Sequence, residues 1–178
     1  MKRAITFLLL ASSLLAATAW ASSVADRRAE IEAGSDLGMS AETFVTRFND
    51  LMAESELPYQ AQGELQNLDG PQGTFSETFS DNMGLLGSVK PESQLVNGLV
   101  FFGRESESGE SGARIQAVAA RVLAASSDDL SVDDAMGMVL VLNQAWSGTP
   151  VSQTQDGIEY GFSRDPLMGN MYTVTAVE

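Results

Sequence analysis

The sequence predicts an α+β domain, an antiparallel sheet with helices packed on one face, in the order helix, strands, helix pair, strands. Three observations carry this expectation. Apolar residues recur at spacings of three and four in 41–55, 113–125 and 131–146. Apolar and polar residues alternate in 74–79, 158–162 and 171–177. Strand-like and helix-like segments come in runs, where a parallel sheet would alternate them one by one.

Residues 1–21 read as a secretory signal peptide. Lys2 and Arg3 supply the positive start, residues 5–17 are a Leu/Ala-rich apolar stretch, and Ala19-Trp20-Ala21 is a small-x-small cleavage signal. The apolar stretch is shorter than the roughly 20 residues a membrane span needs. Cleavage after Ala21 is expected, giving a periplasmic or secreted protein that has left the membrane. No Cys stands at the cleavage point to carry a lipid.

Residues 22–38 read as a flexible linker, with Gly34-Ser35-Asp36 breaking a weakly apolar helical stretch. A single domain is expected over 39–178. Ser40 is a good N-cap for a helix over 41–55, with Glu42 favourably placed against the helix dipole. Phe44, Phe48, Leu51 and Met52 form its apolar face, flanked by Ala41 and Val45. Leu57-Pro58 ends it.

Residues 59–104 read as β-rich. Gly70-Pro71-Gln72-Gly73 is a turn. After it, Phe75, Glu77 and Phe79 point one way and Thr74, Ser76 and Thr78 the other. A second strand is expected over 83–89, closed by Lys90-Pro91. A third over 94–103 contains Leu99-Val100-Phe101-Phe102, which has no polar side. Such a run fits a central strand covered on both faces, or on one face with a partner on the other.

Residues 105–112 (Glu-Ser-Glu-Ser-Gly-Glu-Ser-Gly) hold nothing to bury and read as an exposed loop. In 113–125, Ile115, Val118, Val122 and Leu123 share a helical side filled in with alanines. Ser131 opens the next helix, with Asp133 in its first turn and Asp134 at the capping-box position. Its expected inner face is Met136, Val139, Leu140, Asn143 and Trp146, flanked by Leu142. Gly148-Thr149-Pro150 stops it. Residues 151–155 then lead into Asp156-Gly157, a type I′ hairpin turn. Ile158, Tyr160 and Phe162 alternate after the turn, a loop follows over 165–170, and a last strand over 171–177. The two parts share no evident sequence identity. The layout resembles that of small protein-binding α+β domains such as secretion chaperones and secreted inhibitors, without a shared motif.

Composition restricts the chemistry. The 178 residues contain no His and no Cys. That removes the Ser-His-Asp triad, the imidazole base, the thiolate nucleophile, His- or Cys-ligated metals and disulfides. Formal net charge is −14, and signal cleavage removes two basic residues and no acid. Such a chain repels nucleic acid phosphates and anionic lipid, and suits a basic or apolar-patch protein partner, or a salty medium.

The remaining candidates are weak as chemistry. Asp128, Asp129, Asp133 and Asp134 are spaced closely enough to suggest Ca²⁺, but the EF-hand pattern fails, and the last two suit a helix start. Glu105, Glu107 and Glu110 sit in the loop, where ordering them around an ion costs entropy. Gly109-Glu110-Ser111-Gly112-Ala113 comes near a nucleophile elbow with no His to activate Ser111, and no Ser-x-x-Lys motif recruits Lys90. Glu159, between Ile158 and Tyr160, is expected to face solvent by alternation. Trp146, Tyr160, Phe162 and Tyr172 could line a groove, and Met136, Met138, Met168 and Met171 an adaptable surface; core packing explains both sets first. No residue is assigned a catalytic, metal or cofactor role. The expectation is a non-enzymatic protein-binding domain of inhibitor, adaptor or chaperone-like type. A carboxylate-dependent hydrolase of cell-wall or glycan material, or an acidic salt-tolerance protein, stands as the alternative. The address is directly measurable: intact-mass analysis of protein from the producing cell should give a chain starting at Ser22. A mass that retains residues 1–21 refutes cleavage.

Overall fold

In the computed structural model, which describes residues 28, 29, 31–106 and 111–177, the Ser40 hydroxyl accepts the Thr43 amide and opens α1 (Ala41–Glu54). The expected apolar face is the buried one: Ala41, Phe44, Val45, Phe48 and Met52. Three strands follow as a meander, β1 (Gly73–Ser80), β2 (Met83–Val89) and β3 (Val96–Gly103). Two helices come next, α2 (Gly112–Ala125) and α3 (Val132–Ala145). A second meander ends the fold: β4 (Val151–Gln155), β5 (Ile158–Asp165) and β6 (Gly169–Ala176). The predicted signal peptide and its cleavage site, and Glu107 and Glu110 of the predicted loop, lie outside the described residues.

All six strands form one antiparallel sheet in the order β1-β2-β3-β6-β5-β4. Each meander thus runs from an edge inward, and the two meet where β3 pairs with β6 from Gly98↔Thr175 to Gly103↔Asn170. The α+β class and the element order are those the sequence predicts. Asp156 and Gly157 both take positive φ (51° and 77°), as a type I′ turn between β4 and β5 requires.

The helices lie side by side on one face. Phe44 and Phe48 of α1 stack on each other and meet Phe75 and Phe79 of β1. Nearly every inward position of α2 is apolar and buried, including Ala119, Ala120, Ala124 and Ala125. These small side chains let α1 and α3 approach α2 from either side. At the far side Trp146 meets Phe162 edge-on, with ring centroids 5.8 Å apart, and Phe162 packs on Tyr172. Two arginines tie the layer together. Arg121 donates to the Leu51 carbonyl and the Ser55 hydroxyl of the α1 end, and its partial burial lowers its pKa. Arg47 donates to the Ala124 and Ser127 carbonyls at the C-terminal end of α2, and pairs with Asp128 at 2.6 Å.

The structure departs from two expectations. The buried face of α3 is Ala135, Met138, Val139 and Leu142, while Leu140 is exposed. Both this set and the predicted one have helical spacing; α3 is apolar nearly all round, so periodicity does not select between them. Asn143 and Trp146 sit at the margin of the true face. The second departure concerns the predicted linker 22–38, whose last part is docked. Leu37 is buried and donates to the Val96 carbonyl, and Glu32 accepts the Glu92 and Ser93 amides of the β2–β3 turn. The Lys90 ammonium, buried, meets Asp36 at 2.6 Å. These contacts are non-local and leave no periodic trace in the sequence.

The Lys90 pair makes stability depend on pH. Hydrogen bonding to Lys90 holds the Asp36 carboxyl below its ordinary value, against the opposing effect of partial burial. With the folded pKa below the unfolded one, the pair's contribution is complete above about pH 4 and is lost as pH falls through the folded pKa. Lys90→Met should cost roughly 3 kcal/mol at pH 7, since it strands a partly buried carboxylate. In denaturant melts the difference from wild type should hold constant from pH 7 to about pH 5 and shrink only as pH falls below about pH 4. A pH-independent difference would show that the pair is not the cause.

Candidate functional site

With the helices on one face, the other face of the sheet is open. Directly paired residues share a face, so the register reads out its composition. One row is Thr74, Ser88, Gly98, Thr175 and Glu159, the next Ser76, Leu86, Val100, Thr173 and Gly161, and the third Thr78, Gly84, Phe102, Met171 and Ser163. Glu159 is the only charged residue in these rows. In a chain with 24 acidic residues among 178, that is a conspicuous gap in the charge. Leu86, at the centre of the β1 side, is 49% exposed.

The β1 side of this face is hollowed. A concavity of about 600 Å³ has Leu86 and Val100 at its floor, Thr74, Ser76, Ser88, Thr173 and Thr175 around it, and Gln66 and Gln72 on the adjoining loop. Its size is within the range of ligand sites. Two local features shape it. At Gly87, on the helix-side face, a Cβ would come 2.1 Å from the Phe75 ring, so glycine lets that ring lie flat across β2 under the floor. At Asn97 the β2–β3 register slips between Ser88 and Val89. The bulged Asn97 carbonyl oxygen Oδ1 accepts from Ser88 Oγ at 2.7 Å and Gln72 Nε2 at 3.2 Å. This cluster fixes one end of the hollow. No Asp, Glu, Lys, Arg or Tyr lines it.

The candidates from the sequence are placed elsewhere. Asp128 pairs with Arg47; Asp134 accepts the Ser131 hydroxyl while Ser131 accepts the Asp134 amide, a reciprocal cap. Among the described residues no group of three or more Asp or Glu is arranged to hold a metal ion. Glu105 is exposed. Ser111 accepts the Arg114 amide as the N-cap of α2, and Lys90 is committed to Asp36, so the two form no dyad. Glu159 projects onto the open face, 3.1 Å from Ser152 Oγ.

Of the aromatic candidates, Tyr160, Phe162 and Tyr172 are buried on the helix side, and Trp146 packs edge-on against Phe162. Burial raises the pKa of both tyrosines. The Tyr172 hydroxyl accepts from Asn143 Nδ2 at 2.7 Å, while the nearby Ser126 and Ser127 hydroxyls oppose the rise at Tyr160. Both rings are core groups, and Tyr172 has a hydrogen-bonded polar end. Met138 is buried and Met136 packs on the core. Met168 is exposed in the β5–β6 turn beside Leu167, and Met171 is on the open face. The hollow was not singled out in the sequence. Its signals were present: outward Thr74, Ser76, Thr173 and Thr175, and the run 99–102, whose Val100 and Phe102 lack a helix to cover them.

Among protein-family models, curated proteins and solved structures, none matches the chain. The site therefore rests on its own geometry. If the open face is kept for contact and not for folding, Leu86→Ser should change unfolding free energy by less than about 1 kcal/mol. Gly87→Ala, one residue away, should cost about 1–3 kcal/mol because its methyl collides with Phe75. Denaturant titration of both variants decides this. A large loss for Leu86→Ser would make the face structural.

Proposed function

We propose that the chain is an exported, non-enzymatic binding domain, of inhibitor, adaptor or chaperone-like type, that engages a partner protein through the open sheet face. The observation that carries this reading is a hollowed, partly apolar and almost uncharged sheet face on a strongly acidic chain. Charge on exposed positions keeps such a protein soluble and separate from its neighbours. A face from which charge is withheld, with Leu86 half in solvent, is the kind of surface that contact with another molecule would cover. The predicted export signal places that contact in the periplasm or outside the cell, where the absence of Cys makes the fold independent of redox state.

The hydrolase alternative draws no support from the hollow. Acid–base catalysis by carboxylates needs a pair flanking the reacting bond, and the lining supplies none. The acidic surface fits a basic partner approaching by electrostatic steering, with affinity coming from the neutral face.

A photo-crosslinking side chain at position 86, installed in the producing cell, should yield a discrete adduct with another polypeptide. The same side chain at position 140, an equally exposed apolar site on α3, should not. Absence of an adduct at 86, or the same adduct pattern at both positions, would refute the reading.

A further inference from the structure

We propose that the open face seats an amphipathic α-helix of a partner protein, with an uncharged apolar stripe against Leu86 and Val100 and basic residues along its flanks. This rests on the reading that the face binds a polypeptide, and adds the conformation and charge of what is bound.

Conformation follows from where backbone hydrogen bonds go. Strands β2, β3, β6 and β5 are each paired on both sides, so their N–H and C=O groups are committed to the ladders. The face therefore presents side chains alone. An extended segment laid on it would lose water from its own backbone groups and find few replacements. An α-helix satisfies its backbone internally and needs only side-chain contact. An extended segment would instead need an edge. At β1 that edge is partly taken, because Gln66 and Thr74 exchange both of their backbone hydrogen bonds at 2.7 and 2.9 Å. The edge at β4 is the competing place.

Size and charge fit the same occupant. The 8-residue strand β3 is about 27 Å long, the length of a helix of about 18 residues. The hollow accepts two or three aliphatic side chains from one helical stripe, while its hydroxyl and amide rim can meet polar residues beside the stripe. Along the two sides of the neutral floor the exposed charges are acidic, while the exposed Arg104 and Arg164 lie at its far end, beside Gly103 and Asn170. Glu64 and Asp69 are exposed on the segment leading through Gln66 and Gln72, and Glu159 lies on the opposite side. A helix with Lys or Arg flanking its apolar stripe matches that layout, whereas acidic flanks would be repelled.

The test uses three synthetic 18-residue peptides. One is made of Leu, Ala and Lys with Leu at i, i+3, i+4 and i+7; one permutes that composition and loses the stripe; one replaces Lys by Glu. Binding is followed by amide chemical shifts of the purified protein. The striped basic peptide should bind at least tenfold more tightly than either of the others, with shifts concentrated at 86–88, 98–100 and 173–175. Leu86→Ser should weaken binding about tenfold. Leu86→Glu should weaken it too, although it adds a negative charge; attraction by the acidic surface alone would make it tighter. Leu140→Glu, on the exposed side of α3, should not weaken it. Equal binding of the permuted peptide, tighter binding by Leu86→Glu, or shifts centred on Val151–Gln155 would overturn the proposal. If it is overturned while position 86 still crosslinks a polypeptide in the cell, the face binds a partner of another form. If the crosslink is absent as well, both readings fall.

Discussion

The antiparallel seam between β3 and β6 sets the constraint from which the rest of the architecture follows. It places two three-stranded meanders back to back, so that the chain leaves the sheet at its centre, after Gly103, and must re-enter at the far edge, at β4. The connection has to cross half the width of the sheet, and α2 and α3 make that crossing on one face. With α1 on the same face, the core is assembled there: Phe75, Leu85, Leu99, Phe101, Tyr172, Val174 and Phe162 are buried beneath the helices. None of α1, α2 and α3 is then left to cover the opposite face. Its openness is a consequence of topology, and its composition shows how the sequence responds.

That response is selective. An open antiparallel sheet normally carries a polar outer face, and Thr, Ser and Glu are ordinary choices there. Here the hydroxyl residues are present and the charges are nearly absent, while acids crowd the loops and helix starts. Ser88, Gln72 and Asn97 are tied to one another at one end of the hollow. Leu86 and Val100 provide the apolar floor. Long-range repulsion among the acids keeps copies of the protein apart, and a neutral face leaves one direction in which close approach costs little desolvation. The buried core lies on the other side of the sheet, in the helix layer and its arginine ties.

Much of the fold was legible in the sequence, for physical reasons that differ by element. The apolar faces of α1 and α2 stand out because each has a contrasting polar side, or alanines where helices crowd. The hairpin at Asp156-Gly157 was legible because few residue pairs accept positive φ at both positions. In α3, Met138 and Leu142 are inward where Leu140 was expected, since a helix apolar on every side carries no phase information. The docking of Glu32, Asp36 and Leu37 onto the β2–β3 turn was hidden, because those bonds join residues some sixty positions apart. The site was half legible. Residues 99–102 announced a strand with an apolar outer side, but only the register brings Leu86, Val100 and Thr173 into one row.

The central claim, that the uncharged sheet face is a contact surface in the working protein, is most directly measured by carbene footprinting in two states. Labelling would be compared residue by residue between the protein in freshly prepared native extract and the same protein purified to homogeneity. Leu86, Val100 and Thr173 should be labelled several-fold less in the extract, while Leu140 and Val141 on α3 should be labelled equally in both. Equal labelling of Leu86 in the two states, or protection confined to α3, would contradict it.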